Sequence, residues 1–260
     1  MGTVRYGARS LEQLRNREVE ATSVGTWATS LTIIYETDPE AIAAVLPPPL
    51  VPSSDPVVRL TIASVDIGRG LPPFGAGSFG VQAEHEGTIG DYALVMPMTT
   101  EQAVVGGRET FGEPKKLAEV TLTRDGDTVR ATFARMGVTF VEVNGTVTGE
   151  LPLTPEQTRT SFYLKFLPAV NGKGFDGQPE LVYCRRVENT RKLEAVDGEI
   201  LLRDSRFDPV SDFPVLKIRS IELGERNSIQ TGEVMAQVPA DWVAPYVHQR
   251  YDDLSPIGTD

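Results

Sequence analysis

Cysteine and histidine are almost missing from this sequence: Cys184, His85 and His248 are the whole complement in 260 residues. A lone cysteine forms no internal disulfide, which fits a reducing compartment, so a cytoplasmic location is expected. Two histidines far apart and outside any spaced motif argue against a His-based metal site, and no cofactor is expected. Long apolar runs are lacking as well. No window approaches the roughly 18 residues of a membrane span. Residues 1–20 carry Arg, Glu and Gln where a signal peptide is apolar, and Tyr6 stands where N-myristoylation requires Ser or Thr. Positive charge is in short supply: 25 Lys and Arg against 36 Asp and Glu give a net charge of −11. That balance speaks against a nucleic-acid partner, because phosphate binding needs basic residues clustered on one face. There is no fixed-period repeat, no low-complexity linker and no βαβ alternation.

What is present is a globular composition, 40% hydrophobic and 23% charged, patterned mostly for strands. Residues 1–26 read as a polar arm with a short helix near Leu11–Arg17, and 27–260 as a single domain. Ser30–Tyr35 is strand-like. Asp38-Pro39-Glu40 is a cap, a first-turn proline and a dipole-matched acid, starting a helix that ends before Pro47-Pro48-Pro49. Val58, Leu60 and Ile62 share one strand face, with Arg59 and Thr61 on the other. Five glycines and two prolines make Gly68–Gly80 a loop. Strands are expected at Phe79–Glu86 and Asp91–Met98, then a short helix over Glu101–Val105. Leu117–Thr123 and Thr128–Arg135 form a hairpin across Asp125-Gly126. Val138–Gly149 alternates, and Thr154-Pro155-Glu156-Gln157 is a capping box. Ser161–Leu167, Glu180–Asn189, Glu199–Arg203, Leu216–Glu225 and Ile229–Ala236 read as strands. Pro239–Leu254 reads as a helix weakened by Pro245. The fold class is α+β, mainly antiparallel β, curled or closed into a barrel with a few short helices.

The strongest local signal is Gly106-Gly107-Arg108-Glu109-Thr110-Phe111-Gly112-Glu113-Pro114-Lys115-Lys116-Leu117. Three glycines and a proline set an unusual path, and two lysines sit at its end before an apolar strand. A lysine amine attacks a carbonyl only when unprotonated, which burial and an adjacent ammonium both favour. A bare Lys-Lys pair is ordinarily two solvated side chains.

The run Gly-Arg-Glu followed by Gly-x-Pro-Lys-Lys-Leu resembles the signature of the acetoacetate decarboxylase family. Ile33–Asp38 with Leu46-Pro47-Pro48-Pro49-Leu50, Gly90-Asp91-Tyr92, Tyr163-Leu164-Lys165 and Asp208–Val215 are similar to further family landmarks. The likeness spans about Ser30 to Val247. It implies a cone-shaped antiparallel β-barrel with the site inside, Lys115 forming a Schiff base with a keto substrate, and Lys116 as the neighbouring cation. This family is a standing example of that activation. It also implies a homo-oligomer and a small-molecule keto acid substrate. Arg108 and Glu109 match the family's Gly-Arg-Glu, for proton transfer or for anchoring the loop that aims Lys115.

Several family positions are changed here. An Arg and two Glu of the decarboxylases fall at about Ala28, Thr61 and Ala76. The resemblance therefore implies a Schiff-base lyase that is slow on acetoacetate, with decarboxylation of another keto acid or aldolase/dehydratase-type chemistry in its place. Glu113 stands where the decarboxylases carry an aromatic and can relay protons if buried. Gln82, Glu84 and Glu86 share a strand face opposite His85, so either Glu84 or His85 enters the barrel. The site residues expected are Lys115, Lys116, Glu109 and Glu113 as catalytic groups, with Arg108, Thr61, Tyr92, Met96, Phe111 and Glu84 around the pocket.

Overall fold

The computed structural model describes residues 4–14, 27–66, 72–153 and 156–252. Its strands are β1 (Trp27–Glu36), β2 (Val51–Pro52), β3 (Val57–Asp66), β4 (Phe74–His85), β5 (Thr88–Met98) and β6 (Lys115–Leu117). They continue as β7 (Glu119–Asp125), β8 (Thr128–Arg135), β9 (Val138–Glu150), β10 (Gln157–Lys165), β11 (Glu180–Leu202) and β12 (Lys217–Gln237). All twelve belong to one sheet. Seven close on themselves in the order β10-β5-β4-β3-β1-β12-β11, because β11 pairs back onto β10. The strands β9, β8 and β7 continue from β11. Closure works because β11 is 23 residues long: Glu180–Glu188 pair with β10, and Glu194–Leu202 pair with β9. The outer strands fold back over the wall, where the Phe133 ring of β8 fills the space above Gly77 of β4.

Strand alternation sorts side chains to the two sides of this wall. Leu31, Ile33 and Tyr35 of β1, Val58, Leu60 and Ile62 of β3, and Phe79 and Val81 of β4 point outward and are fully buried. They pack with Ile42 of the helix Pro39–Val45 and with Phe133, Phe140 and Val143 of the outer strands. Burying each such side chain contributes about 1.5–3 kcal/mol. The opposite face is polar. Arg59, Asp91, Arg159, Glu188 and Arg226, from five different strands, converge on one another inside the barrel. The larger hydrophobic core therefore lies outside the barrel wall, while the interior holds this charged group beside a smaller apolar cluster.

The fold class agrees with expectation, while several boundaries differ. The residues Phe74–Gly80 are strand rather than loop. Their glycines serve packing: a Cβ at Gly80 would stand 2.8 Å from the Tyr92 carbonyl oxygen. The helix expected over Glu101–Val105 runs to Phe111. Two expected strand pairs are single strands, β11 and β12, each bent by a register shift. No helix follows the capping box; Gln157 opens β10, and Thr154 and Pro155 lie outside the described residues. Pro245 splits the C-terminal segment into helices Ala240–Val243 and Val247–Arg250 joined by a 3-10 turn. Residues 11–14 are helical, and most of the expected arm lies outside the described residues.

Candidate active site

The segment carrying the Lys-Lys pair is positioned from both ends. The helix Glu101–Phe111 starts on Thr100, whose hydroxyl accepts from the Ala103 N–H, and ends on Gly112 at φ 81°. That left-handed conformation suits glycine, and a Cβ there would also lie 2.7 Å from Lys165 Cα. Pro114 follows, and β6 then joins β5 in parallel, with Met96 opposite Lys115 and Pro97 opposite Lys116. Arg108 ties the two ends of the segment together. Its guanidinium donates to the Lys115 carbonyl at 3.0 Å and to the Arg250 carbonyl at 3.0 Å, while Arg250 donates back to the Arg108 carbonyl at 2.9 Å.

Consecutive strand residues face opposite ways, so the two lysines part company. Lys115 turns into the barrel, where Nζ lies 2.7 Å from Glu113 Oε2. Glu113 is 1% exposed. Its Oε1 accepts from Gln230 Nε2 at 2.9 Å, whereas the polar partner of Oε2 among the described residues is the Lys115 amine. Gln230 also donates to Cys184 Sγ at 3.0 Å and accepts from Arg186. Gly107 packs directly over the pair: a Cβ at this position would collide with Glu113 Oε2 and approach Lys115 Nζ to 2.6 Å. Met96, Met98, Ala93, Tyr163, Val182 and Phe111 supply the apolar surroundings. Burial first, then the Glu113 charge, pushes the Cys184 thiol up to about 11, so it is a neutral thiol that accepts from Gln230 rather than a nucleophile. The same two causes raise the Tyr163 hydroxyl above its usual range.

Lys116 turns outward. It meets Asp208 at 3.3 Å and Asp252 at 3.2 Å and donates to the Phe207 carbonyl, and Arg135 bridges the same two carboxylates. This is a buried ion network on the far side of the wall from Lys115. Lys116 therefore does not act as the cation beside the amine, because the pleat separates the two side chains.

The structure brings together Lys115, Glu113, Met96 and Phe111 of the residues singled out from sequence. It corrects the placement of others. Glu109 is exposed: two residues from the buried Gly107, it lies about 200° around the helix and faces solvent. Arg108 is spent on backbone carbonyls and stacks over Tyr251 at 5.1 Å. Tyr92 faces outward, donating to Gln249 Oε1 at 2.7 Å, while its neighbours Asp91 and Ala93 point in. Glu84 shares the inner face of β4, but its partner on β5 is Ile89 and that of Lys115 is Met96. Seven strand residues separate them, about 23 Å. His85 faces outward onto the Tyr183 hydroxyl at 2.7 Å. Thr61 lies on the inner face of β3, aligned with Thr32 and Ser78.

Gln230 and Arg186, linked by hydrogen bonds to Glu113 and to each other, are the neighbours of this site that sequence reasoning missed. The polar triple Cys184, Arg186 and Glu188, at alternate positions after the apolar Leu181–Tyr183, was the available signal. Among the described residues no group of three or more His, Cys, Asp or Glu side chains is arranged to hold a metal ion, and no helix is long and apolar enough to cross a membrane.

A curated acetoacetate decarboxylase of Bordetella avium is 30% identical over 203 residues, covering 72% of this chain and 76% of that protein. The crystal structure of acetoacetate decarboxylase from Legionella pneumophila superposes with a TM-score of 0.71 at 21% identity, covering 89% and 99% of the two chains. The enduracididine biosynthesis enzyme MppR, solved with the condensation product of pyruvate and imidazole 4-carboxaldehyde, gives a TM-score of 0.68 at 16% identity over 91% and 99%. The family model described as Acetoacetate decarboxylase (ADC) matches residues 13–238. With that match across most of its length, the chain belongs to the acetoacetate decarboxylase family.

Proposed function

We propose that this protein is a Schiff-base lyase in which Lys115 captures a small keto acid. The observation that carries the reading is the Lys115 amine, inside the barrel and 2.7 Å from a fully buried Glu113 carboxylate. Glu113 Oε2 takes a proton from the ammonium, which frees the amine lone pair to attack the keto carbon. The tetrahedral adduct then loses its oxygen as water, and the same carboxyl returns the proton that water needs. The resulting iminium accepts the electron pair of an adjacent C–C or C–H bond, giving an enamine that is reprotonated at carbon. Met96, Met98, Phe111 and Tyr163 limit water around the amine, which strengthens the Lys115–Glu113 interaction.

Turnover of acetoacetate is slow in this reading. Thr61 and Ala76 lie on the inner face where the family resemblance places carboxylates, and Thr61 offers only a neutral hydroxyl. Each lost charge-assisted contact costs about 1.5–3 kcal/mol, and about 1.4 kcal/mol at the transition state is a tenfold change in rate. Forming the imine needs neither group. The support for keto acid chemistry other than acetoacetate decarboxylation is that replacement, together with the pyruvate-derived ligand of the structurally similar MppR. Self-association is proposed along the second half of β12, whose Ile229, Val234 and Met235 are exposed.

Borohydride reduction in the presence of pyruvate or acetoacetate tests the assignment. One mass increment per chain is expected, mapped to Lys115 and absent from Lys115→Arg, with little release of carbon dioxide from acetoacetate. Labelling that persists in Lys115→Arg overturns the role of Lys115. Absence of any adduct leaves a non-catalytic small-molecule-binding barrel.

A further inference from the structure

Among the described residues four arginines line the barrel interior, and three of them are paired with carboxylates. Arg59 lies 2.9 Å from Asp91, Arg159 lies 3.0 Å from Glu188, and Arg226 lies 3.5 Å from Glu222 while donating to Ser30. Arg186 is different. Among the described residues its guanidinium meets no carboxylate, only the amide oxygen of Gln230. It also stands directly opposite Arg159 across the β10–β11 pair, and like charges in directly opposed positions destabilise a sheet. Glu188 serves Arg159, so Arg186 stays uncompensated in a partly buried position.

This surplus cation stands next to the reactive pair. Arg186 is one inward-facing position beyond Cys184 on β11, about 7 Å along the strand. Gln230 links the two places, accepting from Arg186 and donating to Glu113 Oε1. These two partners fix the direction of the Gln230 amide, and with it the side of Glu113 that stays free for Lys115. A guanidinium with open donors, inside a low-dielectric barrel, favours a planar anion that accepts two parallel hydrogen bonds.

We propose that Arg186 forms the carboxylate subsite of this barrel, holding the acid end of the substrate while its keto carbon meets Lys115. The subsite rests on the keto acid reading of Lys115 and deepens it. The substrate lies along the barrel axis with its keto group at the β6 end and its carboxylate toward β10 and β11. The cation that the family resemblance places on β1, near Ala28, is in this chain supplied from β11. Uncharged ketones of the same size gain nothing from Arg186, so the subsite selects keto acids over ketones.

The test compares pyruvate with acetone, which has a keto group and no carboxylate, in borohydride trapping of the wild type, Arg186→Gln, Arg186→Lys and Arg185→Gln. Arg185 is exposed and paired with Glu233 at 2.9 Å, so its variant controls for lost charge. In Arg186→Gln the half-saturating pyruvate concentration rises about ten- to a hundredfold, while acetone trapping changes less than about threefold. Arg186→Lys recovers part of the loss, because it restores charge without the planar fork. Unchanged pyruvate saturation in a folded Arg186→Gln overturns the subsite. An equal fall with acetone does so too, since Arg186 would then act on Lys115 through Gln230 and Glu113. Propionate, which forms no imine, gives an independent measure: millimolar propionate raises the melting temperature of the wild type and not of Arg186→Gln. If pyruvate yields no adduct at all, the lyase reading falls, and the propionate shift still decides the subsite.

Discussion

Gly107→Ala sets two magnitudes against each other at a single atom. Gly107 lies inside a helix, where replacing glycine by alanine gains about 0.8–1.0 kcal/mol of intrinsic propensity. The same methyl group would overlap Glu113 Oε2 and stand 2.6 Å from both Cδ and Nζ of Lys115. Carbon contacts settle near 3.5–4.0 Å, so the Lys115 side chain must retreat by about 1 Å and the Glu113 carboxylate by about 1.5 Å. Both obstacles are tips of side chains rather than backbone, so the fold absorbs them and net stability moves by no more than about 1 kcal/mol. The reaction does not absorb them, because a misplacement of about 1 Å costs roughly a hundredfold in rate. Gly106 provides the matched control: one residue earlier, exposed, with open space where its Cβ would go. Gly106→Ala gains the propensity and nothing else, raising the melting temperature by about 2–4 °C. Thermal unfolding and the rate of borohydride trapping with pyruvate, measured on both variants, separate the two effects. Wild-type trapping by Gly107→Ala would refute the contact among Gly107, Glu113 and Lys115, and unfolding of that variant while Gly106→Ala stays folded would refute the reasoning that the fold absorbs the methyl group.

Three further outcomes are expected. Glu113→Gln keeps the hydrogen bond from Gln230 but removes the proton acceptor, and slows imine trapping by about 10²–10⁴-fold at neutral pH; a rate within threefold of wild type removes Glu113 from the proton path. Lys116→Met uncovers part of a buried ion network and lowers the unfolding free energy in urea toward the lower end of about 3–5 kcal/mol, because Arg135 still holds Asp208. Trapping at Lys115, corrected for folded protein, persists in that variant. Burial pushes the Asp252 carboxyl up, but the Arg135 hydrogen bond and the Lys116 charge hold it below its ordinary value. Its contribution is thus present above its unfolded pKa of about 3.9 and is lost as pH falls through the lower folded value. Asp252→Asn flattens the acid side of a plot of melting temperature against pH below about 4, and an unchanged acid limb contradicts the pairing.

Alternation made much of this fold legible. Val58, Leu60 and Ile62 announced one face of β3, and Thr128–Arg135 was bounded correctly because Asp125-Gly126 marks its turn. The glycines of β4 misled, since composition does not distinguish a glycine that frees the chain from one that makes room. At Gly77 the room is for the Phe133 ring, 56 residues further along the chain. The break expected in β11 holds a register shift at Thr190/Lys192, and across the break expected in β12 the pairing with β11 runs on through Arg226, Asn227 and Ser228, so neither strand ends. At the site, spacing around Lys115 identified Glu113. It did not reveal that Lys116 faces outward, because the parity of a three-residue strand depends on its pairing with Met96 and Pro97. Gln230 reaches Glu113 across 117 residues of sequence, a contact that only the closed barrel creates.

The inversion of this barrel, apolar outside and charged within, separates what holds the protein together from what it acts on. Exchanging Thr61 or Arg186 for another polar residue removes none of the outward contacts of Leu60, Ile62 or Tyr183. The lumen can therefore be rewritten one inward position at a time, at a cost confined to local charge balance, while the wall stays the same. A scaffold with that division of labour tolerates exchanges along the inner parity of its strands without loosening the outer core.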